Sequence, residues 1–238
     1  MTPLRLAITL SLIAALAGGI LLWSGSSSDH PAIVTADPFA DPPRSPRIVA
    51  LGTSLTANYD WPVALGEALS ACLDAPTALD VVAGPGQASD WGLDQVQRVI
   101  AQRPDVVLIE FTVNDADLRR GLSPRDSRSR HIAIVAALHA DLPQTRILLI
   151  GTNPTFGLRG LLRWRMGAYL ENYATLARSD PRVGFVDLAP QWRDMMQTQD
   201  RSAVMADGVH PVAKAARQVM VPPLARTLAA LWDRPCPA

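Results

Sequence analysis

The chain has 238 residues, 48% of them hydrophobic, and its 22 Lys and Arg balance its 22 Asp and Glu. That length fits one main domain with a sizeable core. A net charge of zero argues against a nucleic-acid footprint, and the two cysteines, Cys72 and Cys236, do not make a metal site by themselves.

Leu6 to Trp23 is an uncharged, mostly apolar run, and about 18 such residues just suffice to span a bilayer. Arg5 precedes it and Ser-rich sequence follows, so the positive-inside tendency places the N-terminus in the cytoplasm and the remainder outside. Residues 1–23 therefore read as a membrane anchor. The alternative is a cleaved signal peptide, although the run exceeds the usual apolar core and no clear A-x-A site follows. Residues 24–46, rich in Ser, Pro and Asp, read as a flexible tether, and 47–238 as the folded domain.

Within that domain apolar runs and helical spacings alternate. Strands are expected at Arg47–Leu51, Leu79–Ala83, Asp105–Phe111, Arg146–Ile150 and Val183–Val186. Helices are expected at Trp61–Leu73, Trp91–Ala101, Ser127–Asp141, Leu161–Arg178 and Pro211–Trp232. The continuous β-branched run at 105–111 is of the kind a parallel sheet buries on both faces. Alternating β and α elements imply a three-layer α/β/α sandwich with a mainly parallel, five-stranded sheet.

Sites in such sheets form at the carboxyl ends of the strands. Ser54, in Gly52-Thr53-Ser54-Leu55, follows the first strand. Gly84 and Gly86 follow the second, and Asn114, in Thr112-Val113-Asn114-Asp115, follows the third. Asp207 and His210, in Asp207-Gly208-Val209-His210, precede the last helix. A serine hydroxyl needs a base to take its proton, and a carboxylate can orient and stabilise that base. An oxyanion formed in acyl transfer needs preorganised donors. Taken singly, each of these stretches reads equally well as a helix cap or a turn; their order and strand context give them meaning together.

These blocks resemble, in the family's order, those of the SGNH or GDSL-type hydrolases, a family of serine esterases and acylhydrolases. The resemblance covers Arg47 to the last helix. It implies a flavodoxin-like fold, Ser54 as nucleophile, His210 as general base and Asp207 as its partner. It assigns the oxyanion hole to the Ser54 N–H, the Gly86 N–H and the Asn114 side chain, with Gly84 as a second register for the glycine block. No metal or organic cofactor is required. The implied substrate is a small acyl ester, with an acetylated envelope or exported polysaccharide suggested by the membrane segment. An acyltransferase and a non-catalytic carbohydrate-binding protein on the same fold are the other readings.

Two positions depart from the family pattern. Thr53 stands where an aspartate is usual, which changes the local charge while keeping a side chain able to bond the backbone. Thr112 stands where a glycine is usual and is expected to narrow that wall of the site. Asp115 reads as structural, and His30, His131 and His139 as solvated. Gly157–Tyr173, with Arg159, Arg163, Trp164, Arg165 and Tyr169, reads either as a wall gripping an anionic sugar or lipid headgroup, or as an exposed helix face with Trp164 packed inward. Trp61 and Trp91 line the cleft or staple a helix start. A flavodoxin-like strand order would bring Cys72 and Cys236 onto one face of the sheet. A disulfide and two free thiols both remain open from sequence.

Overall fold

Short β-branched and aliphatic runs form the centre of the molecule. The computed structural model of the chain describes residues 32–236; the apolar run Leu6–Trp23 and His30 lie outside the described residues. Among those described, no helix is long and apolar enough to cross a membrane. The strands are β1 (Ile33–Val34), β2 (Arg47–Gly52), β3 (Ala78–Ala83), β4 (Val106–Glu110), β5 (Arg146–Gly151) and β6 (Val183–Asp187). They make one six-stranded sheet in the order β1-β6-β5-β4-β2-β3. Every neighbouring pair is parallel except β1–β6.

Alternation along the strands feeds two apolar layers. Ile48, Ala50, Val106, Leu108, Leu148 and Ile150 face one side and pack with Trp61, Leu65 and Leu69 of the Trp61–Leu73 helix and with the Ala213–Ala229 helix. Val49, Leu51, Val107, Ile109, Ile147 and Leu149 face the other, against the Pro124–Asp141 and Met166–Ser179 helices. Burying one such side chain contributes roughly 1.5–3 kcal/mol, so these strands stay in place only with helices on both sides. The three-layer α/β/α sandwich is the observed architecture, with six strands rather than five.

The sixth strand comes from the segment read as a tether. Ile33 and Val34 pair with Val186 and Phe185, satisfying backbone groups that an edge strand would leave open. Phe39 then packs on Trp232, ring centroids 4.9 Å apart. Trp232 Nε1–H donates to the Pro43 carbonyl, and Arg146 donates to the carbonyls of Asp37 and Pro38. Residues 32–46 thus lie along the domain edge. Their Pro-rich composition hid this, because the anchoring groups are backbone carbonyls and two aromatics.

Three local readings change. The helix expected at Leu161–Arg178 is two, Gly157–Leu161 and Met166–Ser179, because the turn between them carries Arg163 inward. The segment 91–101 is likewise split, into Ser89–Asp94 and Val96–Ile100. A further helix, Ala189–Thr198, buries Trp192 completely. Cys72 and Cys236 form a disulfide with their Cα atoms 5.1 Å apart, joining the end of the first long helix to the segment after the last.

Candidate active site

Strand order reverses at β2: β3 follows it in the chain on one side, and β4 lies on the other. The crevice at the carboxyl ends of β2 and β4 is where ligands bind in such sheets. Here it is an open cleft of about 790 Å³, and Ser54, Gly86, Asn114 and His210 line it together.

The turn after β2 carries Ser54. Thr53 caps the short Ser54–Ala57 helix, its Oγ1 accepting from the Leu55 N–H. Beneath it lies Glu110, the last residue of β4 and 1% exposed. Its carboxylate accepts from the Thr53 N–H at 3.1 Å, the Thr53 hydroxyl at 2.8 Å and the Thr56 hydroxyl at 3.2 Å. Burial pushes the Glu110 carboxyl up to about 7 against the pull of these donors. Trp61, wholly buried, donates its Nε1–H to the Leu55 carbonyl at 2.7 Å. The nucleophile turn is therefore gripped from two sides. Where Thr53 carries no carboxyl of its own, Glu110 on the neighbouring strand places one beneath the loop.

Ser54 Oγ lies 3.0 Å from His210 Nε2, and His210 Nδ1 lies 3.0 Å from Asp207 Oδ2. One tautomer serves both contacts: Nδ1–H donates to the carboxylate, and Nε2 accepts from the serine. Asp207 Oδ1 accepts from the backbone N–H groups of Val209 and His210 at 2.6 and 2.8 Å. Partial burial opposes the charge on Asp207, but these donors outweigh it and pull its carboxyl down to about 2. Gly208 makes the turn possible, since a Cβ there would stand 2.4 Å from the Phe156 carbonyl oxygen. Asn153, just beyond β5, donates to the Val209 carbonyl at 2.6 Å. Tyr59 donates to the Pro211 carbonyl at 2.8 Å; burial, and next the Asp207 charge, push its hydroxyl up to about 12.

Two further elements face Ser54. Gly86 sits at φ +73°, a left-handed conformation that suits glycine, and it rather than Gly84 lines the cleft. Asn114 sits in the Thr112–Asp115 turn. Its Nδ2 donates one hydrogen to the Gln87 carbonyl at 2.7 Å, which leaves the other for a ligand. Among the described residues, no hydrogen bond is made by the backbone N–H of Ser54 or Gly86. Three donors and one activated hydroxyl therefore border one cleft, which is the equipment for stabilising an oxyanion formed by attack of Ser54.

A buried chain holds the glycine and asparagine turns together. Asp115 accepts from the Ser89 N–H at 2.8 Å and the Ser127 hydroxyl at 2.5 Å. His131 Nδ1–H donates to the Ser127 carbonyl at 2.8 Å. Its Nε2 then accepts from the Tyr173 hydroxyl at 2.9 Å, which in turn accepts from the Phe111 N–H. Desolvation depresses the His131 pKa, in keeping with this neutral tautomer. Two of the three histidines expected in solvent are buried: His131 is fully enclosed, and His139 bonds the Thr145 carbonyl. Their positions on the Pro124–Asp141 helix fall on its inner face.

The arginine segment divides. Arg163 is 4% exposed; it donates to the carbonyls of Val113 and Arg159 and pairs with Asp117 at 2.7 Å. It buttresses the asparagine turn. Arg159 lines the cleft and pairs with Asp207 Oδ2 at 3.2 Å. Trp164 is 57% exposed, so it does not pack inward, and Tyr169 is buried with its hydroxyl on the Leu122 carbonyl. Thr112 is buried and does not itself line the cleft. Neither Trp61 nor Trp91 lines the cleft.

Glu110, Asn153 and the Arg163–Asp117 pair were missed by sequence reasoning. Only Glu110 left a signal, a lone acid in an otherwise apolar buried strand. Among the described residues, no group of three or more His, Cys, Asp or Glu is placed to hold a metal ion.

Residues 50–218 match the family model described as GDSL-like lipase/acylhydrolase. Among curated proteins none matches the sequence significantly. Among solved structures, a lipase/acylhydrolase from Enterococcus faecalis superposes with a TM-score of 0.61 at 20% identity, over 81% of this chain and 99% of that one. A catalytic mutant of an acetylxylan esterase from Geobacillus stearothermophilus gives 0.62 at 18% identity, over 78% and 93%. TesA gives 0.59 at 20% identity, over 78% and 99%. At these identities the structural likeness speaks for the fold alone.

Proposed function

The chain belongs to the GDSL-like lipase/acylhydrolase family, and on that premise we propose that it hydrolyses a small acyl ester through a covalent acyl-enzyme on Ser54. The observation that carries this reading is the continuous hydrogen-bonded line from Ser54 Oγ through His210 to Asp207, 3.0 Å at each step.

In the proposed reaction Ser54 Oγ attacks the ester carbonyl while His210 Nε2 takes its proton. The carbonyl oxygen becomes an oxyanion, held by the N–H groups of Ser54 and Gly86 and by Asn114 Nδ2. Asp207 stabilises the imidazolium formed. The C–O bond to the alcohol breaks, and His210 returns the proton to the leaving oxygen. Water then attacks the acyl-Ser54 carbonyl, again losing a proton to His210. Collapse of the second oxyanion releases the acid and restores the serine.

A short acyl group on a carbohydrate, such as acetyl, is the substrate we favour. An open, largely polar cleft suits it, and an acetylxylan esterase is among the proteins of similar fold. We further propose that residues 1–23 anchor the chain with its domain outside the cytoplasm, an oxidising setting compatible with the Cys72–Cys236 disulfide.

Hydrolysis of a chromogenic acetyl ester, together with fluorophosphonate labelling of the folded protein, tests the reading. Both activities should vanish in Ser54→Ala. Ester cleavage that survives this substitution unchanged would overturn it.

A further inference from the structure

The chain as a whole is neutral, yet the candidate cleft is not. Five guanidinium groups and three carboxylates line it. Two of the carboxylates are already engaged within the protein. Asp117 lies between Arg119 and Arg163, at 2.6 and 2.7 Å. Asp126 closes a capping box with Ser123 at the start of its helix. The third, Asp90, is exposed and accepts from the Trp91 N–H. Arg159 is committed to Asp207.

Arg120 is different. Its backbone N–H donates to the Asp117 carbonyl, but among the described residues its exposed guanidinium makes no ion pair and no hydrogen bond within the protein. It lies close to the glycine turn: a Cβ placed on Gly86 would stand 3.7 Å from Arg120 Nη2. The guanidinium therefore stands directly beside one of the proposed oxyanion donors. Arg130, on the Pro124–Asp141 helix, lines the same cleft and makes no ion pair among the described residues; its charge acts on Asp126. Gly121 follows at φ +64°, ending the Leu118–Arg120 turn that presents the side chain.

A guanidinium beside Gly86 in the cleft, with its donors unpaired by the protein, is suited to a planar or tetrahedral oxyanion group on the substrate. A neutral sugar ester would leave those donors to water. Resting on the hydrolase reading above, we propose that the cleft is built for an ester whose alcohol portion carries a negative charge, with Arg120 as its specificity-determining contact and Arg130 adding to the local field. The charged group is a carboxylate, as on an acylated uronic acid, or a phosphate, as on an acylated glycerol phosphate. The chemistry Arg120 recognises is the same in both.

Binding to the full-length Ser54→Ala protein, measured by calorimetry, tests this without turnover. One arm compares methyl glucuronide with methyl glucoside, and the other glycerol 3-phosphate with glycerol. In at least one arm the charged ligand should bind about ten-fold tighter than its neutral counterpart, as expected for a charge-assisted contact. The arm that responds identifies the source of the charge. Arg120→Gln should bring the charged ligand to the level of the neutral one, and salt should weaken the preference. Equal binding of charged and neutral partners in both arms would overturn the proposal.

Turnover supplies a second readout. With singly O-acetylated methyl glucuronide and methyl glucoside, Arg120→Gln should reduce the ratio of their kcat/KM values through KM. An equal fall in kcat on both esters would show that Arg120 acts on the oxyanion and overturn its role in charge selection. Failure of these arms with Ser54 still labelled by fluorophosphonate would leave the hydrolase reading standing. Loss of labelling would remove the hydrolase reading and with it the ester, while the binding arms would still report whether Arg120 selects a charged ligand.

Discussion

Glu110 lies directly beneath Thr53, and its buried carboxylate accepts both the backbone N–H and the hydroxyl of that residue. Through this contact a strand interior controls the turn that carries Ser54. Removing the acceptor in Glu110→Ala leaves buried donors unpaired and loosens the turn. The kcat for ester hydrolysis should fall by up to about a hundred-fold, the cost of a misplacement near 1 Å, with KM little changed. Steady-state kinetics on a chromogenic acetyl ester check this, and an unaltered kcat would show that the turn holds itself.

The same residue predicts a pH dependence of stability. Burial raises the Glu110 carboxyl from 4.5 to about 7, so folding favours its protonated form. Its stabilising contribution is complete below about pH 4.5 and lost as pH rises through about 7. Glu110→Gln stays uncharged and lacks that loss. Wild-type stability relative to the variant should therefore decline across this window, by on the order of 3 kcal/mol. Denaturant unfolding at a series of pH values reads the difference directly; parallel stability curves would contradict it.

Asp207 and Asn114 should separate by kind. Asp207→Asn keeps the size of the side chain but removes the charge that steadies the imidazolium, with an expected loss in kcat on the order of ten-thousand-fold. Asn114→Ala removes one oxyanion donor and should cost about a hundred- to a thousand-fold in kcat, with KM little changed. Fluorophosphonate labelling rates and ester kinetics measured on both variants check the ordering. Asp207 also carries a pKa lowered to about 2. The stability it contributes is present above about pH 3.8 and lost as pH falls through about 2.

Asp115 is the buried tie between the glycine turn and the asparagine turn. Asp115→Ala leaves the Ser89 N–H and the Ser127 hydroxyl without an acceptor, at roughly 1–3 kcal/mol for each buried group. Both stability and activity should drop. Asp115→Asn should recover part of each, because an amide oxygen can still accept one of the two bonds. Thermal melts with parallel rate measurements check the pattern.

The Cys72–Cys236 bond closes most of the domain into one loop, 164 residues apart in sequence. Replacing both cysteines with alanine should lower stability by about 2–5 kcal/mol, while the acetyl-esterase rate at low temperature stays close to wild type. Unfolding with and without reductant measures this. No change on reduction would mean that the bridge leaves the unfolded ensemble unconstrained.

Period and punctuation made much of the fold readable in advance. The parallel strands β2, β4, β5 and β6 were visible because a strand buried on both faces must be almost continuously apolar, and the more exposed edge strand β3 by its short apolar run. The edge strand Ile33–Val34 was not, since only two residues carry it and its partners are backbone groups of β6. His131 and His139 looked solvated because sequence spacing places a residue on a helix without saying which face turns inward. The break at Arg163 was hidden because its cause is a carbonyl, Val113, 50 residues away.

Residue types, together with the resemblance of their blocks to a known family, single out the candidate groups to attack, take protons and donate hydrogen bonds: Ser54, His210, Asp207, Gly86 and Asn114. Those properties belong to side chains and to local turns, and a sequence carries them in full. Tertiary structure decided what stands behind and beside them. Glu110 supplies a hydrogen-bonding carboxyl group to the nucleophile turn from the adjacent strand, and Arg163 turns inward to brace the asparagine turn. Arg120 is left with unused donors next to Gly86. Each depends on which distant segments meet across the sheet, and so on distances through space that no local pattern encodes.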